Sequence, residues 1–576
     1  MAANNSTDIP LLDGLSIVNV TNSTLASPTF LDKLAGLPNA LVHHKELFFL
    51  EARIVAAALG CIYIASYGAL RRPPSAKLPA KGKKDKNGKS SKHEDDSDDK
   101  YVQGLLPSDA IMFPILAGCI LVGLYYTIKW LEDPDILNKC LQFYFSAISL
   151  GSLGKLFGDC LHFVTGFVFP TVWRDSNGGL HHVDSTKKGQ WHAKDGSGER
   201  VEDNKKKTPF PGRFSELQLA DSTLKLVWEI RRLLLEQWTV VFFLHGIVKE
   251  EAKVKFNSIS GFLLAVAANL FYYTTNSPLV ANVMGYGLSY AGIIVMSPTT
   301  FATGTAVLAG LFFYDILMVF YTPYMVTVAT KLDVPIKLTF QGPTRASMLG
   351  LGDIVIPGIF VALCLRFDQY MYYRRQQQVK EVELDTEEMS SGQLIRTTKL
   401  HHIVVKPDYV NPQGQWGDRF WATKLTKIFS PDATPALRAS AFPKPYFRAA
   451  LVGYLLGMVA TLAMLITFNH AQPALLYLVP GVVISLWLTA VVRGELGEMW
   501  KYTEDGSLDK SDVIVEVDGE GNVVKEVEGD VKKQEEAKDK KDEGGSDADR
   551  EGQEATSKEK VRYPVFVLSI EAPARD

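Results

Sequence analysis

The sequence predicts an all-α, polytopic membrane protein with nine transmembrane helices, small extramembrane β-hairpins and a disordered tail. Hydrophobic residues make up 47% of its 576 residues and charged residues only 22%. The apolar residues gather into blocks of about 20, the length that a helix needs to cross the hydrocarbon core of a bilayer. Several such blocks exclude a single soluble core, and the net charge of -3 argues against a dedicated nucleic-acid-binding protein.

Nine apolar segments are predicted to span the membrane. The fourth and fifth are short and are separated only by residues 274–277, so an even count is the main alternative. The segments lie near residues 47–70, 108–131, 140–170, 257–273, 278–297, 302–329, 350–372, 447–468 and 473–493.

The placement of charge predicts the orientation of these spans. The loop at 71–100 carries about ten Lys and Arg residues, which predicts a cytosolic loop and a lumenal N-terminus under the positive-inside rule. The N-terminus has no basic stretch followed by an apolar one, so we expect no cleaved signal peptide. Glycosylation sequons crowded near the N-terminus favour the same orientation, and the candidate acceptors are Asn4, Asn5, Asn19 and Asn22.

The predicted organisation alternates between lumen, membrane and cytosol. Both long loops are rich in Lys and Arg, as expected of cytosolic segments. The parts are a lumenal tail at 1–46, spans one to three at 47–170 with the basic cytosolic loop at 71–100, a cytosolic insertion at 171–256, spans four to seven at 257–372, a cytosolic loop at 373–446, spans eight and nine at 447–493, and a cytosolic, largely disordered tail at 494–576.

Two segments outside the membrane are predicted to form β-hairpins. Residues 238–256 alternate in polarity around a His-Gly pair, which favours a hairpin on the membrane face, with a continuous spanning helix as the alternative. Residues 513–527 form a second candidate hairpin within the stretch 502–560, whose charged and Gly-rich composition predicts disorder. The final PVFVLSIEAP is strand-like, but its partner is not predictable from sequence.

The five cysteines are expected to be small, buried hydrophobic residues. All lie within or beside apolar blocks, and none has the spacing of metal ligands, so neither a metal site nor a cofactor is predicted. They are Cys61, Cys119, Cys140, Cys160 and Cys364.

Two aspartates, Asp315 and Asp353, lie inside the sixth and seventh spans. An ionisable residue within a span is costly and therefore indicates a function. Neither helix offers a cation at helical spacing, so the nearest candidate partner of each carboxyl group is the other. Two carboxyl groups in a dry site hold one proton between them. Such a pair can activate a water molecule while its protonated member polarises a peptide carbonyl.

Glycines precede the second aspartate. Gly350 and Gly352 flank Leu351 and would let a neighbouring helix and a substrate backbone approach closely. Ordinary packing of small residues is the alternative.

Two further motifs accompany the aspartates. Gln472-Pro473-Ala474-Leu475 begins the ninth span, where the proline either only starts a helix or leaves backbone groups free for an extended substrate. Residues 335–340, between the two aspartate helices, alternate as a strand does. This strand either pairs with the substrate backbone by β-augmentation or packs on the protein itself; its candidate residues are Pro335, Lys337, Leu338 and Phe340.

The motifs resemble those of the presenilin-like GxGD aspartyl proteases. Tyr314-Asp315, the Gly350-to-Asp353 motif and the Gln472-to-Leu475 motif stand in that family's order and spans. MVTVAT with VPIKLTF at 325–340, MLGLGDIVIPGIF at 348–360 and HAQPALLYLVPG at 470–481 resemble the signal peptide peptidase branch. The resemblance covers about 300–370 and 447–500, and the long loops resemble those of fungal members.

The resemblance implies a presenilin-like fold with a lumenal N-terminus in the endoplasmic reticulum membrane. It implies cleavage of signal-peptide remnants and of type II or tail-anchored membrane segments, with Asp315 and Asp353 as the catalytic pair. It also implies partners in membrane-protein degradation, and a homo-oligomer is a further candidate. Because the terminal EAPARD carries no dilysine signal, retention in the endoplasmic reticulum rests on the resemblance. The implied supporting residues are Tyr314, Gly350, Leu351, Gly352, Gln472, Pro473, Ala474, Leu475, Pro335, Lys337, Leu338 and Phe340.

Other ionisable residues near membrane depth are interpreted as structural. Arg53 is expected to pair with Glu51 or a neighbour near a helix end. Lys155 and Asp159 have the i,i+4 spacing of a helical ion pair, and His162 is given no catalytic role.

Two other classes of function remain open. A transporter or channel also uses paired membrane carboxylates, but it leaves the accompanying motifs as a coincidence. A scaffold that captures membrane proteins for degradation would not need the two aspartates.

Overall fold

The computed structural model describes the chain from residue 45 to residue 572 with interruptions. The four sequons, most of the basic loop at 71–100 and most of the tail lie outside the described residues. The described ranges are 45–77, 103–131, 134–176, 178–193, 200–203, 205–244, 248–332, 334–342, 346–390, 393–422, 433–468, 472–504, 513–517, 523–527 and 566–572.

Helices dominate the described chain, because a helix satisfies its own backbone hydrogen bonds where no water is available to do so. In chain order the α-helices are α1 (Lys45–Gly68), α2 (Asp109–Leu131), α3 (Pro134–Val168), α4 (Asp221–Leu235), α5 (Phe256–Thr275), α6 (Pro278–Val295), α7 (Phe301–Phe320), α8 (Tyr324–Lys331), α9 (Gly352–Arg374), α10 (Trp416–Ala422), α11 (Pro435–Ala439), α12 (Pro445–Phe468), α13 (Leu475–Arg493) and α14 (Leu496–Lys501).

Within the described part of the chain, eight helices are long and apolar enough to cross a membrane: α1, α2, α5, α6, α7, α9, α12 and α13. The chain is therefore a multi-pass membrane protein. The predicted third span is also one helix, α3, of 35 residues. It includes the charged Lys155 and Asp159 and does not reach the same apolarity, so the count of nine stays a prediction.

The fourth and fifth spans are two separate helices. Asn276 adopts the left-handed conformation, with φ 48° and ψ 33°, and ends α5. Pro278 then occupies the first turn of α6, where its missing N–H costs nothing. This turn chemistry separates the two spans that an even count would merge.

Three predicted boundaries differ from the structure. The third span, predicted from residue 140, begins at Pro134. The sixth span, predicted to reach residue 329, ends at Phe320, and the separate helix α8 follows. Pro323 lies at this break, where its ring and missing N–H prevent a continuous helix. The seventh span, predicted from residue 350, begins at Gly352, because Ala346–Gly350 forms a strand.

The strands form small sheets outside the apolar helices. Their order in the five sheets of the described residues is β1-β8, β10-β9, β11-β12-β13-β14, β15-β6-β7 and β2-β3-β4-β5. The strands are β1 (Gln103–Leu105), β2 (Val172–Arg174), β3 (Leu180–Asp184), β4 (Gly189–Ala193), β5 (Arg200–Glu202), β6 (Gln237–Leu244), β7 (Val248–Lys255), β8 (Met296–Pro298), β9 (Lys337–Gln341), β10 (Ala346–Gly350), β11 (Gln378–Ser390), β12 (Gln393–Val405), β13 (Val513–Val517), β14 (Val523–Val527) and β15 (Phe566–Glu571).

Both predicted hairpins are confirmed. Strands β6 and β7 pair antiparallel, which excludes a spanning helix over 238–256. Strands β13 and β14 also pair antiparallel, and β13 joins β12 of the loop at 373–446. The final strand, β15, pairs antiparallel with β6, so it docks on the first hairpin.

The insertion and the second long loop build one small extramembrane unit on the end of α3. Helix α10 lies so close to α3 that a Cβ on Gly417 would be 2.0 Å from the Gly166 carbonyl oxygen. The buried Asp418 of α10 accepts hydrogen bonds from the Thr171 amide, at 2.7 Å, and from the Thr171 hydroxyl. Burial raises the pKa of Asp418, and these hydrogen bonds oppose that shift.

The cysteine prediction was correct for two residues and wrong for three. Cys61 and Cys364 are buried, whereas Cys119, Cys140 and Cys160 are exposed. The reason is that outward faces of spanning helices are apolar without being buried in protein, since lipid is their solvent.

The membrane ionisable residues are engaged as structural groups. Lys155 pairs with Asp159 at 3.3 Å, as the i,i+4 spacing predicted. Glu51 accepts a hydrogen bond from the Ser347 hydroxyl at 3.1 Å. The Nδ2 atom of Asn257 lies 3.3 Å from Nδ1 of His162.

Candidate active site

Asp315 lies in the fourth turn of α7, a helix that is otherwise almost entirely apolar. Its side chain is buried, with only 4% of the residue exposed. An ionised carboxylate at such a place requires hydrogen-bond donors, because desolvation is costly. The position of Asp315 therefore depends on what the neighbouring elements supply.

Asp353 is the second residue of α9, directly after strand β10. The chain changes from strand to helix within Gly350, Leu351 and Gly352. A Cβ built on Gly350 would lie 3.4 Å from Oδ2 of Asp353, so the carboxylate rests over the bare backbone of this glycine. The glycine thus provides room for the carboxylate beside its own strand.

Helices α7 and α9 pack against each other through another glycine. A Cβ on Gly304 of α7 would be only 2.8 Å from the Phe360 ring of α9. Asp315 follows Gly304 in its helix, and Asp353 precedes Phe360 in the other. Glu504 contacts both Arg366, in the C-terminal half of α9, and Thr299, just before α7, so the two helices run antiparallel. Both aspartates are therefore on the same side of the contact between Gly304 and Phe360.

The start of α13 supplies a donor to Asp315. The Leu475 amide donates a hydrogen bond of 3.0 Å to Oδ2 of Asp315. Amides in the first turn of a helix have no intrahelical acceptor, and a carboxylate near a helix N-terminus is electrostatically favoured. Pro473 and Ala474 precede this turn. The amide that follows them is bound by Asp315, so the role of the motif in binding an extended substrate stays a prediction.

Helix α12 positions α13 by an unusually close contact. A Cβ on Gly453 would be 2.3 Å from the Gly481 oxygen, and one on Gly457 would be 2.8 Å from the Tyr477 oxygen. Between these glycines, Tyr454 is fully buried and donates a hydrogen bond of 3.2 Å to the backbone oxygen of Asp353. Sequence reasoning missed this residue, although the Gly-x-x-x-Gly spacing in span eight was the available signal.

The hairpin β9–β10 lies between the two aspartate helices, and its strand β9 packs on the protein itself, which is one of the two predicted alternatives. Leu338 of β9 pairs with Leu349 of β10. The other edge of β9 is occupied at Thr339, which exchanges two 2.8 Å hydrogen bonds with the Asn282 side chain. In the described residues β10 pairs only with β9, so the open edge beside Asp353 belongs to β10.

Of the other predicted residues, two are at least partly buried in the core and two form hydrogen bonds. Leu338 is fully buried beneath Gly285, and Phe340 is partly buried against the same core. Lys337 donates to the Leu332 oxygen at 3.2 Å, and Gln472 accepts from the Tyr477 hydroxyl at 3.4 Å.

Two of the predicted supporting residues lie beside glycines of neighbouring helices. The Tyr314 ring would be 3.7 Å from a Cβ on Gly118 of α2, so it packs toward that helix. The Pro335 oxygen lies 3.9 Å from a Cβ on Gly285.

Charges around the two aspartates are sparse. Within the described residues, neither Asp315 nor Asp353 forms an ion pair. No group of three or more His, Cys, Asp or Glu side chains in the described part of the chain is placed to hold a metal ion.

A second buried polar cluster, also missed by sequence reasoning, holds the opposite end of α9. Glu504, just beyond α14, accepts hydrogen bonds from Arg366 of α9 at 2.6 Å and from Arg71. Its side chain is 4% exposed. Burial opposes ionisation of Glu504, but Arg366 and Arg71 outweigh burial and lower its pKa to about 2. We call Glu504, Arg366 and Arg71 the arginine–glutamate clasp.

The chain resembles known intramembrane proteases. It is 33% identical over 259 residues, 44% of this chain and 67% of the relative, to a probable intramembrane protease of Schizosaccharomyces pombe. It is 26% identical to human signal peptide peptidase over 419 residues, 71% of this chain and 77% of the relative. A probable intramembrane protease of Saccharomyces cerevisiae is 26% identical over 436 residues, but the match spans 61% of that protein.

The family profile described as signal peptide peptidase matches residues 96–506, which include both aspartates and all three motifs. No solved structure matches the chain. Because the profile covers most of the sequence, this chain belongs to the signal peptide peptidase family of proteases.

Proposed function

We propose that this protein is an intramembrane aspartic protease whose catalytic pair is Asp315 and Asp353. The observation that carries the proposal is the environment of Asp315. Its carboxylate is buried in a spanning helix and lies on the same side of the α7–α9 contact as Asp353. It accepts a hydrogen bond from the Leu475 amide at the start of α13. Membership of the signal peptide peptidase family supports the same assignment.

The chemistry follows from two carboxyl groups that share one proton. The ionised carboxylate removes a proton from a water molecule, whose oxygen attacks the peptide carbonyl carbon. As the water oxygen bonds to this carbon, the C=O π bond breaks and the protonated carboxyl group donates its proton to the carbonyl oxygen. The carboxyl group that took the water proton then passes it to the amide nitrogen, and the C–N bond breaks. A hydroxyl proton of the intermediate returns to the other carboxylate as the C=O bond re-forms, so an acid and an amine are released and the pair again holds one proton.

The substrate class we propose is a transmembrane helix, such as a signal-peptide remnant or a type II or tail-anchored segment. Such a helix must become extended locally before its peptide bonds are accessible. The open edge of β10 ends at Gly350, three residues before Asp353, so a substrate strand paired there would be led to the aspartates. We place the enzyme in the endoplasmic reticulum membrane with a lumenal N-terminus, alongside machinery for membrane-protein degradation.

The test is cleavage of a signal-peptide-like helical substrate by the purified full-length protein. We expect Asp315→Asn and Asp353→Asn each to lower kcat by at least about 100-fold, with an unchanged thermal midpoint of unfolding. Asp221→Asn, which alters an exposed carboxylate in α4, is the control and should retain full activity.

A transition-state mimic with a hydroxyl group separates this proposal from a transporter or a scaffold. The mimic should bind the wild type and fail to bind either dyad variant. Retained proteolysis in either folded variant would refute the assignment of the pair.

A further inference from the structure

We propose that a cavity between α1 and α3 binds a phospholipid with a negatively charged, phosphate-bearing headgroup. The cavity measures about 770 Å³ and lies where α1 and α3 end, below the β6–β7 hairpin and α10. We call it the α1–α3 cavity. Its lining residues include Tyr67, Lys155, Phe163, Lys253, Lys255 and Arg419.

Part of the cavity lining is basic. Lys155, Lys253, Lys255 and Arg419 line it, and Asp159 is the single acidic residue among the lining residues. Asp159 is already engaged by Lys155 at 3.3 Å and by the Tyr290 hydroxyl at 2.5 Å. The lining thus has an excess of three positive charges, which is the chemistry of a phosphate site.

Another part of the lining is apolar and exposed. Ile64 of α1 is 53% exposed, and Phe163 and Val164 of α3 are 50% and 54% exposed. On spanning helices such side chains face the hydrocarbon of the bilayer. A free inorganic anion would use only the basic part, whereas a lipid would use both by placing its acyl chain along these residues.

Aromatic rings also line the cavity. The rings of Tyr63 and Tyr67 lie 6.0 and 4.8 Å from the Trp416 ring. Tyr and Trp are enriched at the level of the lipid headgroups, because each has an apolar body and a polar tip.

The cavity is separate from the candidate active site. None of its lining residues belongs to α7, α9 or α13, which supply the aspartates and the amide donor. The inference therefore goes beyond the proposed function and does not depend on it.

The test uses the full-length protein in phosphatidylcholine nanodiscs with a trace of photoactivatable phosphatidic acid. We expect cross-linking near Ile64 and Phe163, and competition by unlabelled phosphatidic acid. The variant K253Q/K255Q should reduce the labelling about tenfold, because each basic residue near an anionic headgroup contributes to binding. Both lysines lie at the end of a hairpin strand, so the fold should persist, as checked by the thermal midpoint.

The control variant K205Q/K225Q removes two exposed lysines that do not line the cavity and should label like the wild type. Equal labelling of K253Q/K255Q and wild type, or equal competition by phosphatidylcholine, would overturn the proposal. Competition by inorganic phosphate at the same concentration as the lipid would overturn the assignment to a lipid.

Discussion

At the scale of single residues, the site depends on positions where a side chain is missing. Gly350 leaves space for the Asp353 carboxylate, and Gly304 lets α7 approach the Phe360 ring. In both cases the relevant property of glycine is its lack of a Cβ rather than its backbone freedom.

Gly350→Ala should therefore impair catalysis more than folding. The added Cβ would stand 3.4 Å from Oδ2 of Asp353, at the near limit of van der Waals contact, so the carboxylate would lose room on that side. We expect kcat to fall about tenfold, since small displacements of catalytic groups are costly, with a nearly unchanged thermal midpoint. Gly497→Ala, where an added Cβ meets nothing within 4 Å, should leave kcat unaltered. Wild-type kcat in Gly350→Ala would contradict this role.

At the scale of elements, the pair α12–α13 supports the site without supplying a catalytic group. The close contact at Gly453 and Gly457 places Tyr454 against the Asp353 backbone and the α13 start against Asp315. One helix pair thus reaches both aspartates. Such support is typical of sites whose geometry must hold within about half an ångström.

Gly453→Ala should lower both stability and activity. The added Cβ would be 2.3 Å from the Gly481 oxygen, so the helices must separate, at a cost of about 1–3 kcal/mol. The thermal midpoint in detergent and the cleavage rate measure the two effects. The matched control is Gly123→Ala in α2, where an added Cβ meets nothing within 4 Å. Unchanged stability of Gly453→Ala would argue against the close contact.

At the scale of the whole molecule, the arginine–glutamate clasp joins distant parts of the chain. Arg71 follows α1, Arg366 belongs to α9, and Glu504 follows α14. The Glu504 amide also donates to the Thr299 oxygen at 2.9 Å, which ties in the segment before α7. The two aspartate helices are thus held together at the end remote from Asp353.

Glu504→Gln should destabilise the protein by about 3–5 kcal/mol, because it leaves buried guanidinium groups without a compensating charge. A lower thermal midpoint in detergent is the expected result. Glu202→Gln, which breaks an exposed pair with Lys187, should change the midpoint little. Equal midpoints for Glu504→Gln and wild type would mean that the clasp does not contribute to stability.

The contribution of the clasp should depend on pH in a defined direction. The pKa of Glu504 falls from its usual 4.5 to about 2. A lowered pKa in the folded state stabilises the protein above pH 4.5, and that stabilisation is lost as the pH falls from 4.5 toward 2. The difference in unfolding free energy between wild type and Glu504→Gln should therefore shrink over this interval. A constant difference would contradict the lowered pKa.

The sequence by itself determined most of the spanning helices, both hairpins, the two aspartates and the motifs beside them. These features depend on local composition and periodicity, because membrane insertion and turn chemistry act over neighbouring residues. Boundaries at Phe320 and Gly352 were misjudged, since apolarity continues past the break at Pro323 and through the strand before α9.

Only the tertiary structure decided which groups meet the aspartates. The Leu475 amide contacts Asp315, and the Tyr454 hydroxyl contacts Asp353, each from a segment about 100 or more residues away in the chain. The third group is the open edge of β10, which is near Asp353 in the chain. The docking of β15 on β6 and the clasp at Glu504 are equally long-range. Such contacts depend on which helix faces pack together, and local patterns of apolar residues do not specify that choice.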